Sequence, residues 1–203
     1  MILLIQNSLL GLEDYLRTGG PLMIPLVIVS LMMWLLIIDR AVFFRRIQRR
    51  DMNSQSAREY VARNRQPDLR HYRGATAVLV AEFVRRRSGR RDLDRFVLDE
   101  TVARLQRTLT HGLAAIGVLA AIAPLLGLLG TVSGMITTFD VLAVFGTGNA
   151  RAMAGGISEA LITTQTGLLV AIPGLYMKGF LDRRACQVAQ RLKATGFYLR
   201  RHL

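Results

Sequence analysis

The groups able to do chemistry in this chain sit in its most apolar parts. Glu159 opens the run Glu-Ala-Leu-Ile-Thr163-Thr164-Gln165-Thr166-Gly167, an unusual polar cluster for so greasy a neighbourhood. An earlier apolar segment carries Thr131 and Thr138, seven positions apart and so on one helix face with Gly127 and Gly134. Hydroxyls donate and accept hydrogen bonds without carrying charge, and a carboxylate can take up a proton. Polar groups placed inside a bilayer ordinarily face a bundle interior or a hydrated path. The plainer use of each Thr or Ser is a bond to a carbonyl of its own helix. Glu159 is either a solvated group at the membrane boundary or an intramembrane carboxylate, and both readings stay open.

Those residues need elements to hold them, and the composition says which. The chain has 203 residues, 51% of them hydrophobic, yet a net charge of +13. Greasiness and charge must be segregated along it. Residues 18–38, 112–139 and 160–177 contain no Asp, Glu, Lys or Arg. Each run is long enough, at about 1.5 Å per helical residue, to cross a hydrocarbon core about 30 Å thick. The expected architecture is therefore an all-α integral membrane protein with three transmembrane helices, at 18–39, 112–139 and 158–178.

Charge also sets the expected orientation. Twenty-five of the 27 Lys and Arg residues lie in 40–111 and 178–203. Positive loops stay cytoplasmic, so these form an expected cytoplasmic helical domain (40–111) and a cytoplasmic C-terminal helix (179–203). The N-terminus and the 140–157 loop then face the outer side of the membrane. Residues 1–17 lack the positive start of a signal peptide. Ile2, Ile5, Leu9, Leu12 and Leu16 instead recur at helical spacing, as in an amphipathic helix on the outer boundary.

Within the basic segment, Gln66-Pro67 and Ser88-Gly89 read as breakers and Asn53-Ser54 as a cap, predicting helices over 54–65, 75–87 and from 91 onward. No breaker is read between Arg90 and Pro124, and Leu98, Val102, Leu105 and Leu109 form a stripe, so the second span is expected to extend into the cytoplasm. Val188, Leu192 and Leu199 predict the same of the third. These stripes need partners, for which neighbouring subunits are the favoured choice. Gly130-x-x-x-Gly134, with Gly127 and Gly167, would let helix backbones approach closely. Arg45, Arg46, Arg49 and Arg50 follow the first span and suit anionic inner-leaflet lipids. Arg85-Arg86-Arg87 and Arg90-Arg91 read as a solvated run that could also dock a partner.

Other chemistries are disfavoured. One cysteine, Cys186, excludes an internal disulfide framework and a thiolate-rich metal site. His71, His111 and His202 have no ligand spacing, so neither a metal nor a cofactor is expected. The Gly146-Thr147-Gly148-Asn149 loop lacks the Gly-Lys-Ser/Thr of a phosphate cradle. No nucleophile elbow supports hydrolysis, so the chain is not read as an enzyme. Basicity confined to membrane flanks is read as topology, with no nucleic-acid partner.

The stretch Ala123-Pro124-Leu-Leu-Gly127-Leu-Leu-Gly130-Thr131-Val132-Ser133-Gly134, followed by Gly156-Ile157-Ser158-Glu159-Ala160-Leu161-Ile162-Thr163-Thr164 and Ala171-Ile172-Pro173, resembles the MotA/TolQ/ExbB proton-channel family. Residues 20–40 are similar to the first span of its ExbB and TolQ branch, and the ExbB type is preferred. The resemblance implies a place in a bacterial inner membrane, with the N-terminus and the 140–157 loop periplasmic, and a homopentamer whose second and third spans enclose a pore. It implies two copies of a single-span ExbD-like partner carrying an intramembrane aspartate, and a TonB-like protein that receives the work. It places Thr131 and Thr164 at the family's pore threonines and Glu159 at its carboxylate, with Thr138 and Thr163 beside them. The translocated ion it implies is a proton; Gln165 and Thr166, polar where relatives are often apolar, keep sodium as the second choice. A TolQ-like subunit of the Tol-Pal envelope system and a non-conducting membrane scaffold are the alternatives.

Overall fold

A computed structural model describes residues 15–48, 51–68, 72, 74–146 and 150–202. The regular elements among them are helices: α1 (Met23–Gln48), α2 (Ser54–Ala62), α3 (Ala75–Arg86), α4 (Arg91–Thr110), α5 (Leu113–Phe145) and α6 (Ala150–Arg201). A short helical turn at 15–18 precedes α1. Among the described residues, three segments are long and apolar enough to cross a membrane, within Met23–Ile47, Arg91–Phe145 and Met153–Arg201. The amphipathic helix expected at 1–17 lies almost wholly outside the described residues, as do Arg49, Arg50 and His71.

The chain divides into two compact units. One holds the described residues up to Ile37 together with Ala115–Met177. Here α1 is apolar on every side: Met23, Leu26, Met33 and Ile37 are buried, while Ile24, Leu31, Trp34 and Leu35 are exposed. A helix greasy all round suits lipid or protein neighbours rather than water. Met23 and Leu26 pack with Ala123 of α5 and Ala171 of α6, and Leu126, Ile162 and Val170 close the cluster. Pro124 and Pro173 sit inside α5 and α6 without ending them. Neighbouring helices stabilise such prolines in membrane segments, where a helix in water would break.

The other unit holds Ile38–Ala114 and Lys178–Leu203. Its interior is built from Leu79, Val80 and Phe83 of α3, Leu98 and Leu109 of α4, and Leu181, Val188, Leu192 and Leu199 of α6, all buried. Gly196 of α6 accommodates Val102, whose Cγ2 would lie 2.8 Å from a Cβ there. Asp94, in the first turn of α4, has only 2% of its side chain exposed and pairs with the Arg87 guanidinium at 3.1 Å. The Ser88 backbone N–H donates to the same carboxylate at 2.8 Å, and Arg87 also donates to the Val61 carbonyl at 2.9 Å. Burial opposes the Asp94 charge, but the Ser88 N–H, Arg87 and the Ser88 hydroxyl outweigh it and hold the carboxyl below the usual carboxylate range. Glu82 is held low in the same direction, first by hydrogen bonding from Arg104, against burial, with Arg85 adding to it.

Several boundaries differ from the sequence reading. The α2 helix ends at Ala62 instead of 65, because Asn64 takes a left-handed conformation with φ 49°. Asn53 is its N-cap but makes no side-chain cap bond; Ser54 bonds the Thr195 hydroxyl at 3.2 Å instead. The run expected to pass unbroken from Arg90 to Pro124 is interrupted: α4 stops at Thr110, and Gly112 has φ +79°. That glycine stands where a left-handed residue terminates a helix, and a new one starts at Leu113. Of residues 140–157, expected as a loop, 140–145 and 150–157 are helical. By contrast α6 runs through from Ala150 to Arg201, as the apolar stripe beyond the third span requires.

Candidate ion-pathway site on α5 and α6

Small residues bring α5 and α6 together in antiparallel register. On α5, Ala120, Ala123, Gly127, Gly130, Gly134 and Thr138 recur every three or four positions and are buried; on α6, Gly156, Ala160, Thr163, Gly167, Ala171 and Gly174 do the same. A Cβ at Gly127 would stand 3.0 Å from the Thr163 carbonyl oxygen and 3.2 Å from Thr164 Cα. One at Gly167 would lie 2.7 Å from the Ala123 carbonyl oxygen, and one at Gly130 would run into the Thr163 side chain. Further along, a Cβ at Gly134 would meet the Gly156 carbonyl oxygen at 2.5 Å and Ala160 N at 2.9 Å. Without a hydrophobic drive between helices in lipid, this backbone contact is what dispersion can use. The spacing of Gly127, Gly130, Gly134 and Gly167 was legible in sequence. The answering positions on α6, Gly156, Ala160, Ala171 and Gly174, were not singled out as packing residues, although their three-and-four recurrence carries the signal.

Hydroxyls fall inside this crossing and along its edges. Thr163 is fully buried and its hydroxyl is 3.0 Å from both the Glu159 and Ala160 carbonyls; Thr138 is 6% exposed and donates to Gly134 O at 2.9 Å. These two fill the contact. Thr131 and Thr164 are half-buried at its edge. Thr131 donates to the Leu128 carbonyl at 2.6 Å, and Thr164 donates to Ala160 O at 2.9 Å with Gly127 O of α5 at 3.4 Å. Every one of these hydroxyls thus spends its hydrogen on a backbone carbonyl and keeps its lone pairs free to accept.

The polar residues of α6 separate onto two flanks. At about 100° per residue, Thr164 lies roughly 140° around the helix from Glu159. On α5, Thr131 is similarly about 140° from Leu126, which belongs to the cluster with α1. Thr131 and Thr164 therefore share the flank turned from α1. Glu159 lies on the α1 side, where its carboxylate packs directly against Gly20, and Thr166 meets the Tyr15 hydroxyl at 2.8 Å. The structure so brings Thr131, Thr164, Thr163 and Thr138 to one crossing and sets Glu159 apart from the first two. Sequence reasoning missed Gly20 and Tyr15, whose only signal is contact across more than a hundred residues of chain.

The basic residues divide likewise. Arg45 and Arg46 are exposed near the end of α1. Arg85, Arg86 and Arg87, read from sequence as a solvated run, are engaged within the fold with Glu82, Glu100 and Asp94. His111 faces Arg40, whose terminal nitrogen is 3.4 Å from its Nδ1. No group of three or more His, Cys, Asp or Glu is placed to hold a metal among the described residues.

A crossing of two apolar helices through small residues, with hydroxyls at the edge, can line a narrow polar path but supplies no ionisable group along the Thr131–Thr164 flank. A profile of the MotA/TolQ/ExbB proton channel family matches residues 41–194, which contain this crossing. The chain belongs to the MotA/TolQ/ExbB family. Among curated relatives, an ExbB-like 1 biopolymer transport protein of Synechocystis sp. is 34% identical over 195 residues, covering 91% of this chain and 76% of that protein. Biopolymer transport protein ExbB of Neisseria gonorrhoeae is 36% identical over 94 residues, 46% of this chain and 43% of the relative. ExbB of Aquifex aeolicus is 40% identical over 82 residues, 40% of this chain and 55% of that protein. Within the family the chain is thus ExbB-like, with three helices among the described residues long and apolar enough to cross a membrane.

Proposed function

We propose that this chain is the channel-forming subunit of an ExbB-type complex that uses the proton motive force to energise a TonB-like protein for outer-membrane transport. The observation that carries the reading is the shared flank of Thr131 and Thr164 on the α5–α6 crossing, in runs devoid of any charged side chain. Such a flank needs its titrating group from elsewhere. A single-span ExbD-like partner with an intramembrane aspartate, present as a dimer inside a ring of five copies of this chain, is the complement the family resemblance implies.

The hydroxyl geometry supports a specific division of labour. A protonated aspartic acid can donate its O–H to Thr131 or Thr164 while each threonine goes on donating to Leu128 O or Ala160 O. A charged aspartate needs donors, and to provide one a threonine must let go of its carbonyl. The flank is therefore better matched to the neutral acid, and loss of the proton changes where the partner sits most comfortably. Cycling between the two states with the gradient gives directional motion of partner against ring. Arg45 and Arg46, together with Arg49 and Arg50, anchor the basic side to anionic inner-leaflet lipids, with the N-terminus periplasmic and the C-terminus cytoplasmic. The transported ion is a proton in this scheme.

The test is gradient-dependent uptake in cells carrying Thr131→Ala or Thr164→Val, with assembled complex quantified alongside. Loss of uptake with the complex intact is expected of each. Unchanged uptake in the double variant would mean that the crossing is only a scaffold.

A further inference from the structure

The polar residues on the α1 flank of α6 are left over by this scheme, and their contacts describe a different task. The backbone just ahead of α1 turns sharply: Gly20 has φ +68°, its N–H donates to Arg17 O at 3.3 Å, and its carbonyl accepts from Met23 N at 3.2 Å as α1 begins. The Glu159 carboxylate lies against Gly20 so closely that a Cβ there would overlap Oε1, with the Glu159 Cγ at 3.3 Å. Seven residues on, and so on the same face of α6, Thr166 meets the Tyr15 hydroxyl at 2.8 Å. Gly19 fits the same seam, since a Cβ there would lie 3.2 Å from Ile162 Cγ2.

We infer that Glu159, Gly20, Tyr15 and Thr166 form a fastening that fixes the start of α1 to α6, and that Glu159 is a positioning residue outside the ion path. The chemistry favours this. The Met23 and Ile24 N–H groups are already taken by the Gly20 and Pro21 carbonyls, so what this end of α1 offers a carboxylate is the partial positive charge of a helix N-terminus. A carboxylate packed on Gly20 stands beside that end of α1 and offsets it. The structure places the Glu159 carboxylate at this turn and away from the Thr131–Thr164 flank. Gly20 serves the fastening twice over: its left-handed backbone makes the turn, and its bare Cα leaves room for the carboxylate. Tyr15 and Thr166 hold the preceding turn by a hydrogen bond one and a half to two helical turns along the same seam. With α1 held this way on one flank of α6, Thr164 keeps the opposite flank free for the partner.

The inference rests on the proposed channel function for its activity arm only, and the experiment separates the two. In the intact complex, Glu159→Gln preserves the shape and hydrogen-bonding reach of the side chain. It should keep gradient-dependent uptake within about fivefold of the parent, the scale of one charge at a helix end. A residue that relays protons would lose uptake altogether. Gly20→Ala should lower both uptake and the thermal stability of the purified protein in detergent, and adding Glu159→Ala, which removes the atoms the new methyl meets, should recover part of both. If Gly20→Ala does not accumulate, Tyr15→Phe and Thr166→Val supply the answer: each removes the same hydrogen bond, so the double variant should be no less stable than the worse single one. Abolished uptake in Glu159→Gln with assembled complex, no relief of Gly20→Ala by Glu159→Ala, or additive losses at Tyr15 and Thr166 would each overturn the inference. The stability arms do not depend on transport. If Thr131→Ala and Thr164→Val leave uptake untouched while those arms behave as stated, the channel function fails and the fastening stands.

Discussion

Gly134→Ala is the smallest perturbation that tests the α5–α6 crossing. The added methyl would start 2.5 Å from the Gly156 carbonyl oxygen and 2.9 Å from Ala160 N, both of them backbone atoms. No rotamer change can relieve a clash with backbone. To restore an ordinary contact near 3.4 Å, the two helices must part locally by about 0.9 Å, a gap that forfeits a quarter to a half of the dispersion energy of each affected atom pair. The neighbouring contacts, Gly130 on Thr163 and Gly156 on Thr138, loosen with it. Overpacking of this kind costs about 1–3 kcal/mol. Gly155→Ala is the matched control: it lies one residue from Gly156 on the same helix, but a Cβ there meets nothing within 4 Å. Thermal unfolding of the purified protein in detergent, with the yield of assembled complex, reads both. Gly134→Ala should unfold several degrees lower and Gly155→Ala at or above the parent, since alanine suits a helix better than glycine. Equal behaviour of the two would refute the close crossing, because the sequence change is identical and only the neighbours differ.

Two further outcomes follow from the second unit. The Asp94 carboxyl is held below its usual range, so the stability it supplies is complete above the ordinary carboxylate pKa of about 3.9 and fades as pH falls through the lowered native value. Asp94→Asn should therefore destabilise at neutral pH, by about 1–3 kcal/mol for hydrogen bonds to a charged group, and flatten the loss of stability on acidification below about pH 4; an unchanged acid limb in circular dichroism melts would contradict the assignment. Gly112→Ala places a side chain at φ +79° with Arg40 Nε 3.0 Å from the new Cβ, so a cost of about 1–2 kcal/mol is expected in the same melts, and none if α4 and α5 were one continuous helix.

The large features of the fold were legible because they are written in composition. Charge-free runs gave the spans, and the apolar stripe of Val188, Leu192 and Leu199 gave the long continuation of α6. The misread positions are single residues whose conformation depends on their neighbours in space. Gly112 sits between two good helical patterns, and a glycine inside such a pattern costs only about 1 kcal/mol if the helix continues. Its φ of +79° and the Arg40 side chain 3.0 Å from where a Cβ would stand belong to the folded chain and leave no mark in the pattern. The candidate site shows the same limit. Spacing put Thr131 and Thr138 on one helix face, but it could not say that Thr138 would be enclosed against Gly156 while Thr131 stayed at the edge. Nor could a linear pattern place Glu159 on Gly20, since the two meet only once α1 and α6 have packed.

Cys186 offers a practical consequence. It is the chain's one cysteine, and it is exposed on α6, with its sulfur 3.7 Å from Gln190 Nε2. A thiol-directed fluorophore or spin label will therefore attach at one known place on the native sequence, with no background cysteines to remove. Because Cys186 lies well inside α6, spectroscopy at this single position can follow the C-terminal part of that helix in the wild-type protein.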